Sequence, residues 1–287
     1  MTNKPETRKF STSPTERLRV GKGFRLDDVD AGGSPGFDGK KTDGKDALAG
    51  KAKTVSDLQE RLFANSRLGA KESVLLVLQG MDTSGKGGVV RHVVGAADPQ
   101  GVHHHAFKAP TDEEKEHGFL WRVERQLPGY GMIGVFDRSH YEDVLIHRVH
   151  KLSPVKEIDE RYGMINDFEA SLVKGGTHLI KVMLHISKDE QKERLSERLE
   201  RPDKHWKYSP TDLEDRAEWA KYQQAYQTTL DRTSTEAAPW FVVPADRKWY
   251  ARLAVQQLLI DVLEGMDLQW PKATFDVEEQ KRKLANS

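Results

Sequence analysis

The chain has 287 residues, which is enough for one large α/β domain or two small ones with a substantial buried core. It contains no cysteine, so disulfides, thiolate zinc sites and cysteine nucleophiles are excluded, and a reducing cytoplasmic compartment is favoured. Lysine plus arginine and aspartate plus glutamate are equal at 45 each, so net charge predicts no affinity for nucleic acid polymers or anionic membranes. The N-terminal residues have no apolar run, and no later run is long enough for a membrane span, so we expect neither an export signal nor a transmembrane helix.

The first part of the chain, residues 1–52, is predicted to be an extended N-terminal arm. Its second half is rich in glycine, aspartate, lysine and proline and shows no hydrophobic periodicity. From Val55 onward, apolar residues recur at helical spacing until a break at Gly69. We therefore expect a folded domain over residues 53–271, followed by a charged tail over residues 272–287.

Five short apolar runs indicate buried parallel strands, separated by stretches long enough for crossover helices. The runs are Ser73–Leu78, Val102–Phe107, Ile133–Phe136, Leu179–Ile186 and Trp240–Val243. Further helices are predicted after Thr111, which forms a capping-box pattern with Glu114, after Ile158, after Asp212 and over 246–263. This alternation is typical of a doubly wound α/β fold with a parallel sheet.

A glycine-rich motif follows the first predicted strand. The residues Gly80, Met81, Asp82, Thr83, Ser84, Gly85 and Lys86 match the Gly-x-x-x-x-Gly-Lys pattern of a phosphate-binding loop, whose glycines let backbone N–H groups surround phosphate oxygens. The motif precedes a predicted helix from Gly88, and this strand–loop–helix context is the one that a phosphate loop requires. A second match, Gly39–Lys45, lies in the predicted arm without that context, so we interpret it as accidental. The alternative for the first match is a glycine-rich turn that binds no ligand.

Two departures from the usual loop concern metal binding. The lysine is followed by Gly87 and Gly88 in place of the serine or threonine that ligates Mg²⁺ in P-loop triphosphatases. Asp82 lies inside a loop that holds anions, where a carboxylate would repel phosphate unless a cation or a proton offsets it. We interpret Asp82 as an Mg²⁺ ligand or as the proton acceptor of an attacking oxygen. The alternative is a local Asx-type turn bond.

The third predicted strand ends in Asp137 and Arg138, the arrangement of a Walker B strand. A carboxylate at this position lies at the carboxyl edge of the sheet beside the phosphate loop, so Asp137 is predicted to complete an Mg²⁺ site with Asp82. Arg138 presents a planar, permanently charged donor that suits the oxygens of a phosphoryl group in transfer. The alternative is that the strand-end aspartate is only a turn former.

After the fourth strand, residues 188–210 are predicted to form a basic helix and its continuation. Arg194 and Arg198 share one helical face, and Lys204 and Lys207 extend the basic character beyond the helix. Most such runs are solvated, salt-bridged faces. P-loop kinases carry a mobile lid at this place in the chain, however, so we predict a lid.

Two other patterns are not assigned to binding. Three consecutive histidines, 103–105, lie in a predicted strand, where successive side chains point to opposite faces and cannot converge on one metal ion. The tryptophans are interpreted as core or interface anchors, and none is assigned to a nucleobase.

Several longer stretches join these motifs in a fixed order. They are LQGMDTSGKGG at 78–88, DPQGV at 98–102, FKAPT at 107–111, FLWR at 119–122, FDRSHYEDVL at 136–145, LHISKDEQKERL at 184–195, KHWKYS at 204–209 and APWFVVPADRKWY at 238–250. This set resembles the family-2 polyphosphate kinases, over about residues 24–271. The resemblance implies a P-loop kinase fold and a reversible, Mg²⁺-dependent transfer of a terminal phosphoryl group between inorganic polyphosphate and a nucleotide.

The resemblance also implies roles for individual residues. Asp82 and Asp137 would hold the metal, and Asp82 would orient or deprotonate the acceptor. The side chains that would neutralise developing charge are Lys86, Arg138, Arg194 and Arg198, and those that would line the path of the polyanion or the nucleotide are Lys108, Arg122, Lys204 and Lys207.

Acceptor and assembly follow from the same resemblance. The PQGV, FLWR and RSHYED stretches favour the branch that acts on both nucleoside mono- and diphosphates, although Gly118 stands where that branch has an acid. Family members commonly form homodimers or homotetramers, and an arm could wrap a neighbour. The alternatives are an ATP-dependent kinase of a nucleoside monophosphate or small molecule, and a nucleotide-binding switch. Against the switch, the chain has no Asn-Lys-x-Asp motif for guanine.

Overall fold

The structure of the protein, a computed structural model, describes residues 10–287. Its centre is a five-stranded sheet with the order β2-β3-β1-β4-β5, in which all neighbouring strands are parallel. The strands are β1 Ser73–Gln79, β2 Val102–Ala106, β3 Ile133–Asp137, β4 Thr177–His185 and β5 Trp240–Pro244. The five predicted strands and the doubly wound parallel sheet are therefore confirmed, with small differences at the strand ends.

Helices connect the strands and flank the sheet. They are α1 Pro14–Arg17, α2 Lys41–Gly50, α3 Ala52–Ser66, α4 Lys86–His92, α5 Asp112–Lys115, α6 Trp121–Glu124, α7 Glu142–Val149, α8 Val155–Lys174, α9 Lys188–Glu200, α10 Thr211–Ala217, α11 Trp219–Thr233, α12 Lys248–Gly265 and α13 Val277–Ala285. Short 3-10 helices span Leu26–Asp28, Val94–Ala96, Pro99–Gly101 and Pro202–Lys207. The capping box of α5 is confirmed, since Glu114 N–H donates to Thr111 Oγ1 at 3.2 Å and Thr111 N–H to the Glu114 carboxylate at 2.8 Å. The hydrophobic pattern does not predict α7.

The central strand β1 contributes to two hydrophobic cores, because successive side chains of a strand point to opposite faces of the sheet. Val74, Leu76 and Leu78 pack with α3, α4 and α12 on one face. Leu75 and Val77 pack with α7, α8 and α11 on the other. From β1 the chain passes to one side for β2 and β3 and to the other for β4 and β5. The loops at the carboxyl end of β1 therefore diverge and leave a crevice.

The prediction of an extended arm is wrong for its last part. Lys41–Gly50 forms the helix α2, which packs on α12 through the buried Gly44 and Ala47. A side chain at position 44 is excluded by Trp249, since a Cβ there would lie 2.2 Å from the indole ring. The helix escaped prediction because this contact uses the small residues Gly44 and Ala47 in place of an apolar stripe.

The upstream part of the same segment also packs on the domain. Val20 N–H donates to the Trp240 carbonyl at 2.8 Å, and Val242 N–H donates to the Leu18 carbonyl at 2.9 Å. These bonds place Leu18 and its neighbours, in antiparallel orientation, on the free edge of β5, where they cover an otherwise open strand edge.

Two predictions about the ends of the chain stay predictions. Residues 1–9 of the predicted arm lie outside the described residues, and the domain boundaries at 52 and 271 stay predictions. The charged C-terminal segment contains α13, whose residues are all partly or fully exposed. Within residues 10–287, none of the helices combines the length and the apolar character that crossing a membrane requires.

Candidate active site

The loop Gly80–Gly85 joins β1 to α4 at the carboxyl edge of the sheet. Gly80 and Gly85 have φ values of +149° and +115°, and a Cβ on Gly80 would lie 2.7 Å from the Leu184 carbonyl oxygen, so only glycine fits there. Thr83 has a φ of 65°, which is strained for a β-branched residue and typical of functional loops. The Lys86 ammonium donates to the Gly80 carbonyl at 2.8 Å and so lies across the loop.

The second functional segment follows β3. Asp137 is the register partner of Leu78 in β1, and the Arg138 N–H donates to the Leu78 carbonyl at 3.0 Å. Arg138 also has a left-handed φ of 65°. Its guanidinium donates to the Asp82 carboxylate at 2.9 Å. Burial opposes the charge of Arg138, but Glu142 and Asp82 outweigh that effect and hold its pKa above the ordinary value.

These residues line a cleft of about 730 Å³. Ten lysine and arginine side chains face this cleft, against four carboxylates, which are Asp82, Asp137, Glu197 and Asp212. Since the whole chain carries equal numbers of positive and negative residues, the cleft is a local concentration of positive charge. Such a surface suits a polyanionic ligand.

The carboxylates of the cleft fit a magnesium ion that is held partly by the protein and partly by the phosphates of a substrate. Asp82 and Asp137 line one cleft, and a third carboxylate, Asp212, has its pKa raised by burial and by the negative charge of Asp82. Within the described residues, no group of three or more histidine, aspartate or glutamate side chains forms a complete metal site. Mg²⁺ is usually held by one or two carboxylates together with water and substrate phosphates, so two acids beside a phosphate loop are sufficient.

A family model described as "Polyphosphate kinase 2 (PPK2)" matches residues 39–271, which is most of the chain and includes every element of the cleft. The chain belongs to the polyphosphate kinase 2 family. This confirms the resemblance found from the motifs, and with it the assignment of the chain as a kinase.

Relatives of this polyphosphate kinase 2 chain cover almost its full length. An AMP/ADP-polyphosphate phosphotransferase of Meiothermus ruber is 43% identical over 92% of this chain and 96% of that protein. An ADP-polyphosphate phosphotransferase of Rhodopseudomonas palustris is 41% identical over 91% of this chain and 93% of that protein. A crystal structure of polyphosphate kinase 2 from Arthrobacter aurescens TC1 superposes with a TM-score of 0.96 at 58% identity, over 97% and 99% of the two chains. The P-loop kinase-like fold is thereby confirmed.

Arg194 lies in the wall of the cleft, but the protein itself occupies its donors. Its guanidinium is 5% exposed and donates to the carbonyl oxygens of Thr83 and Ser84 in the loop, at 2.8 and 3.2 Å. It also donates to the carbonyls of Ala245 and Asp246, and its Nε donates to Glu190. The contacts of Arg194 in this polyphosphate kinase 2 chain are therefore those of a side chain that holds the phosphate loop.

The other predicted lid residues line the cleft and are more exposed. Arg198 donates to the Lys207 carbonyl at 2.8 Å and to Asp212 at 3.2 Å, and so connects α9 with the 3-10 helix that follows it. The Lys204 and Lys207 side chains face the same cleft. Trp206 lies between these lysines and is 78% exposed, so it is not a core anchor, and its interpretation as an interface anchor stays a prediction.

Lys108 and Arg122 are not among the residues that line the cleft. Arg122 is 7% exposed, donates to the Lys108 carbonyl at 2.9 Å and contacts the Asp143 carboxylate at 3.4 Å. The Lys108 side chain is exposed. Their implied contact with substrates stays a prediction, and the structure gives Arg122 a positioning contact with Lys108.

Two acids near the cleft were not assigned from the sequence. Burial raises the pKa of Glu142, while Arg138 and Lys86 oppose that rise, so its carboxyl lies within electrostatic reach of both cations. Asp212 is 7% exposed and lines the cleft. The signal for Glu142 was its place five residues after Asp137 in the FDRSHYEDVL stretch. No sequence pattern marks Asp212, which reaches the cleft only through tertiary folding.

Proposed function

We propose that this protein transfers the terminal phosphoryl group of inorganic polyphosphate to nucleoside mono- and diphosphates, forming nucleoside di- and triphosphates. The observation that carries the proposal is the single cleft in which a glycine-rich loop, Lys86, two acids and Arg138 meet beneath an excess of cations. Family membership and the relatives' names, which specify AMP and ADP with polyphosphate, support it.

Each residue of the cleft has a role that follows from its position. Lys86 and the N–H groups of the loop bind phosphoryl oxygens and neutralise the charge that develops in transfer. Asp82 and Asp137 would hold Mg²⁺, which would supply positive charge that stabilises the negative phosphates when it is bound. Arg138, now paired with Asp82, offers its remaining donors to the phosphoryl group. An oxygen of the acceptor's terminal phosphate attacks the terminal phosphorus of polyphosphate, the P–O bond to the next phosphate unit breaks, and the polyphosphate chain leaves one unit shorter. No water and no covalent intermediate on the protein are needed.

Supporting residues keep the loop in shape during this reaction. Arg194 binds the Thr83 and Ser84 carbonyls from below, and Gln191, which is fully buried, donates to the Asp82 carbonyl at 3.2 Å. We propose that residues 188–210 act as a lid whose basic residues Arg198, Lys204 and Lys207 close over the polyanion. Arg194 serves as the fixed end of this lid, because its donors are already bonded.

The direct test omits ATP. The pure protein is incubated with Mg²⁺, long-chain polyphosphate and either ADP or AMP, and ATP and ADP are followed by luminescence and chromatography. We expect both acceptors to be phosphorylated, with the Lys86→Ala variant as the inactive control. No product from either acceptor would contradict the proposal, and phosphorylation of AMP only when ATP is the donor would favour an ATP-dependent kinase.

We also propose a cytoplasmic location and a homo-oligomeric assembly. A chain without cysteine suits the reducing cytoplasm, and a homodimer or homotetramer is consistent with the family resemblance. Sedimentation of the full chain at several concentrations would measure the assembly state.

A further inference from the structure

Arg216 lies on α10, just after the chain leaves the proposed lid of residues 188–210. Its guanidinium donates to the carbonyl oxygen of Lys188, the first residue of that segment, at 2.5 Å. It also donates to the side-chain oxygen of Gln191, on the first turn of α9, at 3.1 Å. Arg216 therefore connects the beginning of the segment with the helix that follows its end.

Gln191 extends this contact to the phosphate loop. Its side chain is fully buried, and its Nε2 donates to the Asp82 carbonyl at 3.2 Å. A carboxamide has one donor end and one acceptor end, and its hydrogen-bond partners decide which way it points. Because a guanidinium can only donate, Arg216 binds the oxygen end and leaves the Nε2 end for Asp82. Arg216 thus selects the orientation in which Gln191 holds the loop.

The helix α9 holds three consecutive carbonyls of the loop in two different ways. Gln191 binds the carbonyl of Asp82, and Arg194 binds the next two. Every nitrogen of a guanidinium donates, so Arg194 presents donors to carbonyls whichever way it is turned. The amide of Gln191 presents an acceptor to the loop if it turns over. The contact at Asp82 is therefore the one that depends on Arg216.

Neither Arg216 nor Gln191 is among the residues that line the cleft, so both are placed to act through Asp82. We propose that Arg216 is a positioning residue for phosphoryl transfer, which orients the Gln191 amide and so fixes the backbone that carries the Asp82 carboxylate. The inference rests on the proposed function and adds a link from the base of the lid to the loop. A displacement of about 1 Å at a reacting centre can lower a rate by about 10²-fold. Loss of the link should therefore lower kcat more than it raises KM.

The test uses variants that break the link at different atoms. Gln191→Glu keeps an acceptor for Arg216 but has no N–H for the Asp82 carbonyl, Arg216→Met removes the donors, and Arg216→Lys keeps a charged donor. The control is Arg232→Met on α11, because Arg232 also bonds a side chain and a carbonyl, both of Asp159. With ADP and long-chain polyphosphate, we expect kcat to fall about tenfold in Gln191→Glu and Arg216→Met, and to recover partly in Arg216→Lys. Both KM values should stay within about twofold, and the control should match the parent.

A double variant separates this link from a general loss of stability. Gln191→Met removes both ends of the amide without adding charge. If Arg216 acts through Gln191, combining Arg216→Met with Gln191→Met should give a kcat within about twofold of that of Gln191→Met alone. Losses that multiply overturn the proposal, because Arg216 would then act by another route. An unchanged kcat in Arg216→Met overturns it as well.

Hydrogen exchange of the full-length protein without ligand tests the link even if no nucleotide is phosphorylated. The backbone amides of residues 80–88 should exchange about threefold faster or more in Arg216→Met and Gln191→Glu, and at the parent rate in Arg232→Met. Unchanged exchange in the first two variants overturns the link. Faster exchange in them, together with a parent that transfers no phosphate, supports the link and contradicts only the proposed function.

Discussion

Two ion pairs lie on either side of the segment Asp137–Glu142, and they differ in exposure. Arg138 and Asp82 are 2.9 Å apart and face the cleft, with side chains 38% and 21% exposed. Lys181 and Glu169 are 2.6 Å apart beneath the segment, with side chains 0% and 1% exposed. We call the first the open pair and the second the closed pair. Only the open pair can exchange its partner for a ligand.

The closed pair is part of a hydrogen-bonded network that holds the segment from below. Lys181 also donates to the Tyr141 hydroxyl at 3.0 Å and to the Thr233 carbonyl at 2.7 Å. Tyr141 donates to Glu169 at 2.6 Å, and His140 contacts the same carboxylate at 3.2 Å. These bonds fix the two residues that follow Arg138 and Ser139. They therefore help to maintain the left-handed backbone of Arg138 that points its side chain to Asp82.

The largest expected effect is on the closed pair. Glu169→Gln should lower the free energy of unfolding by about 3–5 kcal/mol, because it leaves Lys181 buried without its counter-charge. Chemical denaturation followed by circular dichroism measures the change. The matched control, Lys181→Met with Glu169→Leu, removes both charges and should recover most of the loss. If Glu169→Gln unfolded at the same denaturant concentration as the parent, the network would not be stabilising.

The closed pair also predicts acid sensitivity. Burial opposes the charge of Glu169, but Lys181 and His140 outweigh it and hold the pKa of the carboxyl below its ordinary value of 4.5. A depressed pKa stabilises the folded state above pH 4.5, and this contribution is lost as the pH falls through the folded value. The double control variant should therefore lose less stability than the parent between about pH 5 and pH 3, the range in which the carboxyl takes up its proton. The same denaturation assay measures this difference.

Asp82 of the open pair and the neighbouring Lys86 should affect activity more than stability, the opposite of the closed pair. Asp82→Asn and Lys86→Ala should each lower kcat/KM by roughly 10² or more, since both act on charge in the reacting centre. Their thermal midpoints should stay close to that of the parent, because both side chains border the cleft. Steady-state kinetics and thermal unfolding on the same preparations check this. Retained activity in both variants would remove these residues from the proposed reaction.

These residues show which parts of the site can be predicted from the sequence. Asp82, Lys86 and Asp137 were found because the loop and the strand end have local patterns, and adjacent parallel strands bring those patterns together at one sheet edge. The closed pair was not found. Glu169 lies on α8 and Lys181 on β4, twelve residues apart, and only the packing of that helix on the sheet buries both.

Arg194 and Arg198 show the same limit of prediction from the sequence. Charge and spacing give Arg194 and Arg198 the same role, but the structure buries one against the loop and leaves the other partly exposed. A sequence pattern records that a residue is basic, whereas its partners depend on tertiary contacts.

A smaller expected effect tests whether Arg122 behaves like the closed pair or like the open pair. Its contacts with Asp143 and the Lys108 carbonyl resemble those of the closed pair, although they are longer and nearer the surface. Arg122→Met should therefore lower the free energy of unfolding by about 1–3 kcal/mol without any ligand, and Arg122→Lys should restore part of it. An unchanged stability with a raised KM for a substrate would place Arg122 with the open pair.

The smallest expected effect is a response to salt, which distinguishes the exposed charges of the cleft from the buried closed pair. Raising NaCl from 0.1 M to 0.5 M shortens the screening length from about 10 Å to about 4 Å, which weakens attraction between exposed charges and leaves buried pairs almost unchanged. The KM for long-chain polyphosphate should rise several-fold, because the cleft cations that bind the chain are in contact with solvent. The contribution of Lys181 and Glu169, measured as the difference in unfolding free energy between the parent and Glu169→Gln, should stay constant. If both quantities fell together, solvent ions would reach the closed pair, and its separation from the cleft would be lost.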